Sequence, residues 1–429
     1  MTETELIEPN VWAQRLISLL LVLLGISFAG ILILGSYYDQ PITQSLSFKV
    51  QDAEKFDGKF DSGLGLHSFG DFQELRYALP TADYPDFWAN SNAAYTPSAL
   101  LPNQIAKQVQ KIFGIEISLY TFLLMLLISL ATPAIYALRK IRGQNYKVMA
   151  LVLLTVFAQP FITTFDRGNS VGFIVPFLMI FAVGYFYDKN WIAVIGILGA
   201  FLSRPQYALL GLALVIAKEF KKSTVAIVTG AIIFFGSFLF MPEAYSDSFA
   251  AWLRNLRNYS NYGSGTSFPT NLSLSTAFDG LFESFNYRNL TAVLMAITLA
   301  IFLKFNCEGS RGRILITTLS MTCLIPKVSF GYYSIFVLVI AAMIFTEPKF
   351  LEPTSLNHSQ NTRRRINTRV AYNYLLITVV AISLAPIPFV REVGRNSIAL
   401  ESFSTLWTIV LLATLAQQIV EHYNAKVAA

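Results

Sequence analysis

The chain predicts an all-α polytopic membrane protein, a bundle of about 10–12 transmembrane helices whose large loops lie outside the cytoplasm. Three observations carry that expectation. Of its 429 residues, 54% are hydrophobic and 14% charged, where an ordinary soluble domain has roughly 25% charged residues; the mean hydropathy is +0.51. The runs 16–34, 117–138 and 148–164 contain no charge and approach the ~20 residues a helix needs to cross the hydrocarbon core. Nothing alternates apolar and polar residues over the ~10-residue lengths that barrel strands require.

Taken in order, the apolar runs predict helices near 14–36, 117–138, 148–165, 170–187, 190–202, 205–217, 223–241, 290–305, 313–326, 330–346, 370–389 and 402–420. The first follows an acidic stretch, and its small-x-small triplet Ser27-Phe28-Ala29 lies inside the run. It therefore reads as a retained helix, not a cleaved signal peptide. The runs 190–202 and 205–217 are too short to cross at ~1.5 Å per residue. Ser203-Arg204-Pro205 separates them, which predicts a broken pair that enters the membrane and returns.

The net charge of +6 is distributed in short clusters between apolar runs. This is a topology signal, and no nucleic-acid partner is expected. Arg139, Lys140, Arg142 and Lys147 form one cluster, Lys218, Lys221 and Lys222 a second, Lys304, Arg311 and Arg313 a third, and Arg363, Arg364, Arg365 and Arg369 a fourth. Threading the helices in order, with the short pair as an in-and-back excursion, puts all four on one side. That side is expected to be the cytoplasm, with both termini inside and the protein in the plasma (inner) membrane. The chain 1–429 then forms a single transmembrane domain with a cytoplasmic linker at 347–369. The opposite face receives two long loops, 36–111 and 241–289. Loops beyond ~12–15 residues rarely lack a role, so chemistry is expected there. No inverted repeat of the kind transporters use is apparent.

Loop 36–111 interleaves carboxylates with aromatic residues around His67 to Tyr77, Asp83 to Trp88 and Asn92 to Pro97. Aromatic faces stack on sugar rings and carboxylates accept hydroxyl protons, so Asp71 is a candidate for catalysis; a polar loop of this length also contains solvated acids by chance. Thr163 to Asn169 brings Asp166, Arg167 and Asn169 into a tight turn beside Gly168. Such a turn suits an anion such as phosphate, or else an Asp166–Arg167 ion pair closing a hairpin. Arg204, between two apolar runs, is a costly intramembrane charge and a functional candidate, with a phosphate or Asp166 as its partner; the alternative is an arginine that snorkels to the interface. Lys327, near Tyr332 and Tyr333, is either a third phosphate-binding cation or an aromatic-belt anchor. In loop 241–289, Trp252, Arg254, Arg257 and Tyr259 fit a lid over an acceptor, and an interfacial amphipathic helix at 245–258 explains the same pattern. Phosphate-binding P-loop, zincin and Gly-x-Ser-x-Gly motifs are absent from the sequence, as is any His or second Cys at ligand spacing from Cys307 or Cys323. No metal site is expected.

These pieces together resemble the polyprenyl-phosphate-sugar-dependent glycosyltransferases of the GT-C superfamily, and most closely the bacterial mannosyltransferase-like family 87. Asp71-Phe72 and Ala94-Tyr95-Thr96-Pro97 match the Asp-Phe and Tyr-Pro segments that follow the first helix in that family. Arg167-Gly168-Asn169 matches its turn between the third and fourth helices, and Arg204-Pro205 stands where Lys-Pro is usual. Order and spacing agree over roughly 60–215, while the C-terminal half agrees by hydropathy, with Pro326-Lys327 and Tyr332-Tyr333 as an echo. The stretch 37–65 is an insertion relative to the family.

The resemblance implies transfer of a mannose-like hexose from a polyprenyl-phosphate donor to a glycolipid or glycan acceptor on the outer face, with inversion. Asp71 would be the general base, and Arg204, Arg167 and Lys327 would stabilise the leaving phosphate. Tyr95, Tyr333, Asp166 and Asn169 complete the expected substrate-binding set. No cofactor is required beyond the lipid-linked donor, and a divalent metal is compatible but not indicated. A polysaccharide polymerase or ligase, whose essential residues would lie in 241–289, and a transporter or flippase remain competing readings.

Overall fold

The computed structural model describes residues 10–37, 95–241, 245–262, 311–326, 331–351, 362–386 and 398–428. The elements formed among them are helices. The helix expected at 290–305 and most of the loops 36–111 and 241–289 lie outside the described residues.

The first helix, α1 (Val11–Tyr37), is predominantly apolar, with Arg15 near its start, and its stretch Val11–Ile33 suffices to cross a membrane unaided. After a 3-10 turn at Ser98–Leu100 comes α2 (Leu101–Phe113), a helix within the segment expected as loop 36–111. Its signals are local: Pro102 in the first turn, where the missing N–H costs nothing, and Gly114 at φ +87 just past the end.

Two crossings expected as single helices are bent. α3 (Ile115–Leu130) and α4 (Thr132–Lys140) meet at 45°, and α5 (Gln144–Leu154) and α6 (Gln159–Asp166) at 49°. Pro133 and Pro160 lie in the first turns after the breaks. A proline inside a helix removes one backbone donor and clashes with the preceding turn, so each run divides there.

α7 (Val175–Phe186) and α8 (Asn190–Ser203) form a hairpin joined by a turn in which Asp188 adopts φ +62. Their backbones approach closely because Gly196 has no side chain; a Cβ there would stand 2.4 Å from the Phe181 nitrogen. Small residues permit such contacts between membrane helices.

The broken pair is present. Arg204 is extended at φ −153, ψ 121, as the residue before a proline prefers. A 3-10 segment Pro205–Leu210 and the short α9 (Gly211–Ile216) then lead the chain back. The return is shown by Asn190, whose Nδ2 donates to Glu219 Oε1 at 3.0 Å. The chain therefore comes back to where α8 began. α10 (Phe220–Gly236) follows and, with its 3-10 continuation to Phe240, is the second stretch long enough to cross alone. α11 (Tyr245–Tyr262) matches the amphipathic helix expected near 245–258.

At the centre stand α12 (Arg311–Leu324) and α13 (Phe336–Thr346), the latter preceded by the 3-10 segment Gly331–Ile335. Every residue of α13 is buried. Its sequence is apolar on all sides, the pattern of a helix enclosed by others, and α1, α4, α5, α7 and α14 pack around it. α14 (Thr362–Leu384) begins within the basic segment expected as linker, and α15 (Ile398–Ala428) closes the chain against α12 and α14. Trp407 of α15 donates to Ser383 Oγ at 2.9 Å and meets Phe336 edge-on.

Basic residues from separate loops gather at one end. Lys140 Nζ donates to Tyr187 Oη at 3.4 Å, Arg311 Nη2 pairs with Asp188 Oδ1 at 2.6 Å, and Lys222 Nζ pairs with Glu219 Oε1 at 2.9 Å. Asn190 Nδ2 also donates to Asp188 Oδ1 at 3.0 Å, linking these groups. Asn10 reaches the same end by donating to the Ile344 carbonyl at 3.2 Å.

Candidate active site

The end of the bundle opposite the basic groups collects residues from four distant segments. Arg204, at the tip of the broken pair, lies between two tyrosine rings: its Cζ is 4.2 Å from the centroid of Tyr95 and 5.7 Å from that of Tyr333. A guanidinium over an aromatic face is attracted by the ring quadrupole and stacks through its own plane. The two rings therefore fix the orientation of a half-buried cation.

Each ring is itself held. The segment after Tyr95 is pinned to the tip, since Ser98 Oγ donates to the Leu202 carbonyl at 2.5 Å. Thr96 Oγ1 accepts from the Ala99 N–H at 3.3 Å and fixes the turn between them. Tyr333 is 6% exposed and sits in Gly331–Ile335, which packs against α6 and the 3-10 segment Ser170–Ile174. Just beyond Arg204, Gln206 Nε2 donates to the Thr322 carbonyl at 3.3 Å, tying the tip to α12.

The contacts of Gly331–Ile335 bring the Asp166–Asn169 turn to the same region. α6 ends at Asp166, Gly168 takes φ +60, and Asn169 restarts the chain. A side chain at a positive φ is disfavoured, so Gly168 makes this tight reversal accessible. Asn169 is fully buried, and its Oδ1 accepts from the Val171 N–H at 2.8 Å. It thus caps the Ser170–Ile174 segment, a structural duty its spacing alone did not reveal. Asp166 and Arg167 are half-buried at the end of α6. Of the residues selected from sequence, Tyr95, Asp166, Arg167, Asn169, Arg204 and Tyr333 are described, and Asp71 and Lys327 lie outside the described residues.

Beside this cluster, α2 is an inside-out amphipathic helix. Leu101, Ile105, Ile112 and Phe113 are exposed, while Asn103 is 2% exposed and Ala106 1%. At about 100° per residue, Asn103 and Gln110 lie roughly 140–180° from Leu101, Ile105 and Ile112. An apolar face directed away from the protein fits a helix lying against lipid. Ser118 Oγ donates to the Ala106 carbonyl at 2.5 Å and fastens α2 to α3. Asn103 Nδ2, Asn103 Oδ1 and Gln110 Oε1 are buried without hydrogen-bond partners, and such a group costs about 1–3 kcal/mol.

At the basic end, Glu347 is 4% exposed and accepts from Tyr136 Oη at 2.6 Å and Tyr187 Oη at 2.5 Å. This carboxylate ties α4, α7 and α13 together and was not singled out from sequence. Arg311 draws the Asp188 carboxyl below the ordinary aspartate range, chiefly through their hydrogen bond. Among the described residues no group of His, Cys, Asp and Glu side chains is arranged to hold a metal.

A helical membrane bundle with a tyrosine-clamped arginine at one end is the class of protein these observations define. The model of glycosyltransferase family 87 matches residues 93–346. That is more than half of the chain, which therefore belongs to glycosyltransferase family 87 and is a membrane glycosyltransferase. The match takes in Tyr95, the Asp166–Asn169 turn, Arg204 and Tyr333; Asp71 precedes it. It also runs through α12 and α13, in the half of the chain whose resemblance rests on hydropathy and the echo at Pro326-Lys327 and Tyr332-Tyr333. No curated protein and no solved structure matches the chain.

Proposed function

We propose that the enzyme transfers a mannose-like hexose from a polyprenyl-phosphate donor to a glycolipid or glycan acceptor at the outer face of the plasma membrane, inverting the anomeric carbon. The observation that carries this reading is Arg204, held between the rings of Tyr95 and Tyr333. A fixed guanidinium presents a fork of donors that matches phosphate oxygens. In such a reaction the sugar leaves a lipid phosphate, and negative charge grows on that phosphate as the glycosidic bond breaks. A cation oriented before the reaction lowers the barrier by stabilising this charge without reorganising. Arg167, in the neighbouring turn with Asp166 and Asn169, and Lys327 complete the anion-binding set.

Asp71 serves as the general base, accepting the acceptor's hydroxyl proton as its oxygen bonds to the anomeric carbon. No cofactor is invoked, because the leaving lipid monophosphate can be neutralised by arginine alone. The gathering of basic residues at the far end of the bundle supports placing that end in the cytoplasm, with both termini there. The site then faces outward.

The test is transfer of radiolabelled sugar from polyprenyl-phosphate donors into membrane lipids and glycans, comparing the native enzyme with Asp71→Asn at equal expression. Loss of about 100-fold or more in the variant is expected for removal of a general base. Normal transfer by the variant rules out Asp71. Absence of transfer from every such donor by the native enzyme rules out the donor class. The polymerase or ligase reading is favoured instead if Arg254 and Arg257, both exposed on α11, prove essential.

A further inference from the structure

We propose that Asn103, with Gln110 on the same face of α2, forms a subsite for the hydroxyl-rich head group of a membrane-anchored substrate. The inference rests on the glycosyltransferase reading of the neighbouring site and deepens it by naming a recognition element.

Three observations converge on α2. Its apolar residues Leu101, Ile105, Ile112 and Phe113 are exposed, and its polar residue Asn103 is enclosed. This is the reverse of a helix on a water-soluble protein and places α2 at the level of lipid head groups. Both polar atoms of the Asn103 carboxamide, and Gln110 Oε1, are buried with no partner, although buried polar groups in native proteins are almost always paired. The helix also grows directly from Ser98–Leu100, the segment that Ser98 pins to the Leu202 carbonyl beside Arg204. Helical rise places Asn103 about 9 Å along the chain from Ser98.

The chemistry of the vacant valences selects the ligand. A carboxamide offers two donors and an accepting oxygen. Sugar hydroxyls both donate and accept and satisfy all of these. A phosphate only accepts and would leave Asn103 Oδ1 unpaired, and a hydrocarbon chain would leave every valence open. Gln110 follows Asn103 by seven residues, about 10.5 Å along the same face, and extends the row of polar atoms. The head group of either the donor or the acceptor carries the required hydroxyls.

The experiment uses the full chain in lipid nanodiscs, with mannosyl and glucosyl polyprenyl phosphates as donor probes and octyl mannoside and octyl glucoside as acceptor probes. Dissociation constants and thermal unfolding are compared for the native chain, Asn103→Leu and Gln110→Leu, and sugar transfer is scored in the same preparations. Asn103→Leu is expected to weaken one class of probe by about tenfold or more, the equivalent of one net hydrogen bond. Its unfolding temperature should be unchanged or higher, because an unpaired buried amide has been replaced by an apolar group of similar size. Weakening confined to donor or to acceptor probes assigns the subsite accordingly. If Asn103→Leu fails to fold, Asn103→Ser and Gln110→Leu carry the same comparison. Equal binding by native and variant chains overturns the subsite, as does failure of the native chain to bind any probe. A binding contrast without transfer leaves the subsite standing and removes the catalytic scheme; transfer without a binding contrast does the reverse.

Discussion

Replacing Arg204 by alanine removes the cation clamped at 4.2 and 5.7 Å by Tyr95 and Tyr333, and two distinct losses follow. The structural one is the pair of cation–π contacts, about 0.5–2 kcal/mol each, which lowers the unfolding temperature modestly. The catalytic one is larger if Arg204 meets charge that grows only in the transition state. Losing one preorganised donor to such charge costs about 2.7–4 kcal/mol, or 10²–10³ in kcat. Arg204→Lys keeps the charge but loses the planar fork and the stacking, so an intermediate loss of about tenfold is expected. Initial rates of sugar transfer at saturating donor, alongside thermal unfolding of the same preparations, separate the two effects. A kcat for Arg204→Ala within about threefold of the native enzyme would refute the leaving-group role. A rise in donor KM with kcat unchanged would instead make Arg204 a ground-state anchor.

Four further outcomes are expected. Tyr136→Phe and Tyr187→Phe each remove one hydrogen bond to the buried Glu347 carboxylate and should cost about 1.5–3 kcal/mol in unfolding free energy, with the double variant losing more than either; two neutral single variants would show that the carboxylate is solvated. Gly196→Ala forces a Cβ to 2.4 Å from the Phe181 nitrogen, whereas Gly25→Ala meets nothing within 4 Å, so thermal unfolding should fall for the first and hold or rise for the second. Tyr333→Leu should lower kcat by about 5–30-fold through misorientation of Arg204, equivalent to a loss of roughly 1–2 kcal/mol, while Tyr333→Phe, which keeps the ring, should restore most of the rate. The lowered Asp188 pKa has a defined sign: its pairing with Arg311 stabilises the fold fully above the unfolded aspartate pKa and is lost as pH falls through the depressed folded value. Acid unfolding curves of Asp188→Asn should therefore begin to approach those of the native chain as pH falls below about 4, and coincide with them only below the depressed folded value.

The elements legible from sequence were those dictated by local physics. Continuous apolar length marked the crossings, and Pro205 marked the break that ends α8 at Ser203. Pro133 and Pro160 carry equally local signals for the bends at 45° and 49°, but the apolar runs continue across both, and run length alone does not mark a bend. Pro102 and Gly114 likewise delimit α2 within the loop 36–111. Its hidden feature was orientation, because an amphipathic pattern has a face but does not say whether protein or lipid covers it.

By itself the sequence determined the solvent of this protein, its helical class and the set of residues with unusual chemistry for a membrane chain. A bilayer leaves few ways to satisfy a backbone, and an arginine beside a proline between apolar runs has few structural excuses. Only the tertiary structure decided which of those residues meet. Tyr95, Arg204 and Tyr333 are far apart in the chain and are joined by the break after α8, the Ser98–Leu202 bond and the packing of Gly331–Ile335 against α6. The pairing of Glu347 with Tyr136 and Tyr187, and the inward turn of Asn103, are similarly decided by helix packing. Such contacts depend on which helix faces meet across the bundle, and that choice is made by the sum of many packing interactions and by no local pattern.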